Sequence, residues 1–130
     1  MLPSCLNLLI EHALNCLEQI EGDSNYVINM EHWHTPTKGK CHVGLAGAVM
    51  AVSLSIMPDV ICKPYELPEC DQLLALASLR LGEIGRAYED LGRLRPDNVP
   101  ALMYVPNYAD NPALFKAKLE EIANLIQECQ

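Results

Sequence analysis

The chain of 130 residues has the length of one domain, 1–130, and half of its residues are hydrophobic while a fifth are charged, which excludes an intrinsically disordered chain. Nine Lys and Arg stand against seventeen Asp and Glu, a net charge of -8, and no window gathers the basic residues into the stripe that phosphate neutralisation requires, so direct nucleic-acid binding is not expected. The start, Met-Leu-Pro-Ser-Cys, lacks the basic n-region of a secretory leader; the six cysteines contain no C-x-x-C pair and are expected to be reduced and buried in a cytoplasmic protein, with no structural disulfide.

From Pro3 to Ile20 the apolar residues Leu6, Leu9, Ile10, Ala13, Leu14, Leu17 and Ile20 recur at three- and four-residue intervals, which predicts an amphipathic helix. Cys5 and Cys16, about three turns apart, fall near one stripe of it. Gly22, Asp23, Ser24 and Asn25 supply a stop and a turn. Residues 22–41 have no helical period and read as a long ordered loop, with Tyr26–Ile28 a candidate extended piece and Thr35–Lys40 an exposed turn.

The run His42–Met57 is apolar all round and carries Gly44, Gly47, Ala48 and Ala51 at close-packing spacings, which predicts a buried central helix. It falls short of the roughly 20 residues that a membrane span needs, being bounded by His42 and by Pro58-Asp59. Pro58, Pro64 and Pro68 make the next stretch an extended connector. Helix is expected over Asp71–Leu81 and Glu83–Leu91, Ala101–Val105 is strand or one helical turn, and Asn111-Pro112 opens a last helix with an N-cap residue and a proline at its first position. The sum is a mainly α fold: a compact bundle of about four to five helices around the small-residue helix 42–57.

The densest group of reactive side chains is Glu31, His32, Trp33 and His34, followed by Cys41 and His42. An interfacial reading assigns binding to Glu31, His32, Trp33, His34, Lys38 and Lys40, with Trp33 as anchor, because tryptophan is over-represented among interface hot spots. The alternative is a small metal- or thiol-dependent enzyme using His32, His34, Cys41 and His42: imidazole and thiolate suit zinc, and a thiol at a helix N-terminus is a candidate nucleophile. Against it, the H-x-H pair has no partner at fixed spacing and no Asp or Asn is placed to orient a base, so no catalytic residue, metal ligand or cofactor is assigned. A structural subunit that buries its helix faces in a homodimer or larger homo-oligomer is a third reading.

The run Trp33-His34 through Lys38-Gly39-Lys40-Cys41, then Gly47–Ala51, together with Leu76–Ile84, resembles a pattern in small uncharacterised proteins of tailed phages and prophages. The resemblance implies an intracellular protein of the anti-defence kind, anti-CRISPR proteins included. Such a protein acts in the host cytoplasm by binding a host protein complex and inhibiting it. This is an analogy of context and assigns no catalytic residue.

Overall fold

The structure, a computed structural model, describes residues 2–79 and 106–126. The predicted helices at Glu83–Leu91 and the run Ala101–Val105 lie outside the described residues.

The first helix, α1, spans Leu6–Glu21, with Leu6, Leu9, Ile10, Ala13, Leu17 and Ile20 buried on one face, as the apolar period predicts. Fully buried side chains such as Leu9, Ile10 and Leu17 each contribute roughly 1.5–3 kcal/mol of burial free energy. Helix α1 is the hub of the core, against which the other helices pack.

After a turn at Gly22–Asn25 come three short strands: β1 (Tyr26–Ile28), β2 (His34–Thr37) and β3 (Lys40–Val43). Strands β2 and β3 form a hairpin in which Thr37 pairs with Lys40, and its two central residues, Lys38 (φ 51°) and Gly39 (φ 82°), both take the left-handed conformation. That is the geometry of a two-residue turn whose twist matches its strands. Strand β3 then lies between β2 and β1, and it pairs with β1 in parallel, Tyr26 with Cys41 and Ile28 with Val43. The open edge of β2 is blunted by Pro36, which has no N–H, and by a single bridge in which the Cys62 N–H donates to the His34 carbonyl at 3.3 Å.

Helix α2 runs over Leu45–Val52 only, half the length expected. Its predecessors Cys41 and Val43 point into the core while His42 and Lys40 point away, the period-2 alternation of a strand rather than the start of a helix. Gly44 makes the corner, Ser53 caps the end, and Ser55 (φ 57°) turns the chain away. A 3-10 turn at Pro64–Glu66 follows, then α3 (Cys70–Leu79) and α4 (Pro112–Ile126). Asn111 caps α4 as predicted, its Oδ1 accepting the Leu114 N–H at 3.0 Å, an interaction worth about 1 kcal/mol.

The expectation of a mainly helical bundle is therefore wrong: four described helices pack with a three-stranded mixed sheet, an α/β mixture, and the segment 22–41 is mostly sheet rather than loop. The expectation of no disulfide is also overturned. Cys5 is disulfide-bonded, to a partner outside the described residues, while Cys16, Cys41, Cys62 and Cys70 are free. The absence of a leader and of C-x-x-C says nothing about which sulfurs folding brings within bonding distance. No helix of the described residues is long and apolar enough to cross a membrane.

An ionic contact ties α1 to α4. Lys116 Nζ meets Glu21 Oε1 at 2.5 Å and the Tyr108 hydroxyl donates to Glu21 Oε2 at 2.6 Å. Burial pushes the Glu21 carboxyl up, but the hydrogen bonds from Lys116 and Tyr108 and the lysine charge outweigh it and leave the group below its ordinary 4.5. A depressed carboxyl stabilises the fold above its unfolded value and ceases to do so as the pH falls through the lower folded value. Thermal melts from pH 6 to pH 3 are therefore expected to show wild type losing its advantage over Glu21→Gln below about pH 4.5. A constant difference between the two proteins would contradict this.

Candidate functional site

Strand alternation decides what the histidine- and cysteine-rich segment can do. In the β2–β3 register His34 stands opposite Val43 and Thr35 opposite His42. His34, Cys41 and Val43 thus face the core, each 0% exposed, while His42 lies on the other face beside His32, their rings 5.2 Å apart. The four residues proposed for an enzyme or metal site are split between two faces of the sheet. Among the described residues no three His, Cys, Asp or Glu side chains converge as a metal would need.

His34 Nδ1 donates to the Val60 carbonyl at 2.7 Å, which fixes the proton on that nitrogen of the neutral ring. Cys41 Sγ lies 3.5 Å from Nδ1 and 3.8 Å from Nε2. A sulfur in line with one ring nitrogen's lone pair would be far from the other, so these near-equal distances set it across the ring rather than on a proton-transfer path. Burial pushes the Cys41 thiol up to about 11, against a weaker opposing hydrogen bond from the Thr35 backbone. Neither feature belongs to an activated nucleophile. In a timed alkylation at pH 8, Cys41 is expected to label only on unfolding, after the half-buried Cys70; Cys41 labelling first would restore the thiol-enzyme reading.

The predicted binding residues are spread as follows. Glu31 is exposed in the turn after β1, its N–H bonded to Asn29 Oδ1 at 3.0 Å. His32 and Trp33 are half-buried, Trp33 against the core, and Lys38 and Lys40 are exposed on the hairpin. His34 is enclosed, so its side chain is not available to a partner. The loop carrying His32 and Trp33 lies on the small-residue face of α2: a Cβ on Gly44 would come within 2.7 Å of the His32 carbonyl oxygen, and one on Gly47 would overlap that of Trp33. The glycines of α2 thus seat this loop.

Two features were not anticipated. The connector exposes large apolar side chains in close succession, Met57 (63%), Val60 (44%), Ile61 (66%) and Tyr65 (65%). It borders the hairpin across a shallow depression of about 150 Å³, with Pro36, Gly39 and Lys40 on one side and Pro58 and Asp59 on the other. The sequence signal was present, apolar residues between prolines that bar a helical core position, but composition does not show exposure. The second feature is a contact among His12, Cys16 and Ser53 where α1 meets the end of α2. The spacing of His12 and Cys16, one helical turn apart, was its only trace in the sequence.

On the far side of α1, a groove of about 400 Å³ runs beside α4, lined by Glu11, Leu14, Asn15, Glu18, Glu120 and Asn124. Compared with known proteins, the chain matches no family model, no curated protein and no solved structure.

Proposed function

We propose that this protein is a binding protein of the phage type that acts without catalysis, modulating a host protein complex by docking on it through the connector 57–65 and the adjoining hairpin turn. The observation that carries the reading is the exposed succession Met57, Val60, Ile61 and Tyr65, held beside Lys38 and Lys40. Solvent-facing apolar groups rimmed by polar ones are characteristic of protein contact surfaces, and tyrosine is a frequent anchor. Relative to the reading from sequence, the apolar anchor moves from Trp33 to the connector, and Lys38 and Lys40 remain at its rim. The net charge of -8 favours a basic partner surface. Defence effectors, CRISPR complexes among them, are the partner class that the phage resemblance implies, and the host cytoplasm is the compartment.

Lysine cross-linking of the protein captured with its partner from a host cell is the test. Cross-links from Lys38, Lys40 and Lys63 are expected, and cross-links confined to Lys116 and Lys118 on α4 would refute the assignment. A homo-oligomer formed through the same patch would appear by light scattering of the purified protein as a mass above 14.4 kDa that Ile61→Asp returns to the monomer value.

A further inference from the structure

Three donor atoms of different chemistry converge where the middle of α1 meets the end of α2. His12 and Cys16, four residues apart, present Nε2 and Sγ on the same side of α1 at 3.7 Å. Ser53, the residue that caps α2, brings its Oγ to 3.4 Å from Cys16 Sγ and into a close hydrogen bond with His12 Nε2. Cys16 is 1% exposed, while His12 and Ser53 are half-exposed, so the group is closed on one side and open to water on the other.

We propose that His12, Cys16 and Ser53 form a site for a borderline-soft divalent cation of the zinc class, with His12 Nε2 and Cys16 Sγ as principal ligands, the Ser53 hydroxyl as a third donor and water completing the shell. A tetrahedral ion bound at about 2.3 Å to sulfur and about 2.0 Å to nitrogen holds those two donors about 3.5 Å apart. The observed separation is 3.7 Å. The Cys16–Ser53 distance of 3.4 Å fits a second edge of the same tetrahedron. Only the His12–Ser53 hydrogen bond must open to admit the ion, a movement within the reach of a serine rotamer.

The backbone points to the same sign of ligand. Ser53 stands at the C-terminal end of α2, its N–H bonded to the Val49 carbonyl, and that end of a helix carries partial negative charge, which favours a cation and disfavours an oxyanion. The same field argues against reading the trio as a serine nucleophile with its base, because the oxyanion formed on acylation would meet the wrong end of the dipole. On binding, the Cys16 thiol proton passes to solvent as the sulfur–metal bond forms, and neutral His12 donates the Nε2 lone pair, with its own proton on Nδ1. The site is distinct from the His32, His34, Cys41 and His42 group, which faces two sides of the sheet.

Cobalt(II) titration of the metal-free full chain is the test, because a thiolate–cobalt bond absorbs in the near ultraviolet and a four-coordinate ion in the visible. The expected result is one cobalt per chain with both bands, displaced by zinc. Binding should weaken by more than about tenfold in His12→Ala and in Cys16→Ala, and remain unchanged in Cys70→Ser. No thiolate band in the wild type, or a band that survives Cys16→Ala, would overturn the proposal. Should a variant fail to fold, the cadmium NMR shift of the wild-type complex decides instead: a position diagnostic of one sulfur ligand supports the site, and one typical of oxygen and nitrogen ligands alone refutes it.

Discussion

Replacing Gly47 by alanine is expected to destabilise the protein by about 3 kcal/mol, although glycine to alanine inside a helix ordinarily stabilises by about 1 kcal/mol. The reversal has a steric cause. A Cβ at Gly47 would overlap the Trp33 carbonyl oxygen and lie 2.8 Å from its carbon and 2.9 Å from the Val43 Cβ. Two of those atoms are backbone and the third belongs to a fully buried side chain, so no flexible group can yield. Either the 29–33 loop lifts from α2 or the helix moves away from the sheet, and both open the core. Gly22→Ala is the matching control: the nearest atom to a Cβ there is 3.7 Å away and its φ of -86° suits any residue, so its effect should stay within about 0.5 kcal/mol. Urea unfolding of the two variants measures the contrast. Equal midpoints would mean that the loop does not rest on α2.

His34→Ala carries the second large effect, also about 3 kcal/mol, from two losses that act together. Removing a fully buried imidazole leaves a cavity beside Cys41 and Tyr26, whose ring meets that of His34 edge-on at 6.3 Å. It also strips the Val60 carbonyl of its donor. Because the His34 backbone holds Cys62 as well, this residue fixes the connector at two points, Val60 and Cys62, on either side of Ile61. Amide hydrogen exchange in residues 57–65 should therefore rise in the variant by more than the global loss of stability explains. Exchange that rises uniformly would show that the connector is held by other means.

Helices α1 and α4 were legible because each is long enough for its apolar period to repeat and carries its own stop or cap, Gly22 for α1 and Asn111-Pro112 for α4. The sheet was not. Strands of three or four residues are too short for alternation to stand out, β2 reads His-Thr-Pro-Thr, and the pairing of β1 with β3 joins segments whose adjacency no local pattern encodes. The length of α2 was misread for a related reason. An apolar run is equally a strand entering the core and a helix leaving it, and only the fold shows that the change falls at Gly44. The same blindness produced the histidine and cysteine group as one cluster: neighbours along a strand point to opposite faces, so closeness in sequence placed His34 and His42 together where the structure separates them. The exposed connector and the His12–Cys16–Ser53 contact depend on which surfaces meet, which the sequence does not display.

The central claim is that the protein works through the surface of its connector and not through its buried histidine and cysteine. Paired capture of the partner by Ile61→Asp/Tyr65→Ala and by Cys41→Ala, each first shown to be folded, tests it most directly. The account predicts that the connector variant loses the partner while the cysteine variant retains it. Retention by the connector variant with loss in Cys41→Ala would contradict it.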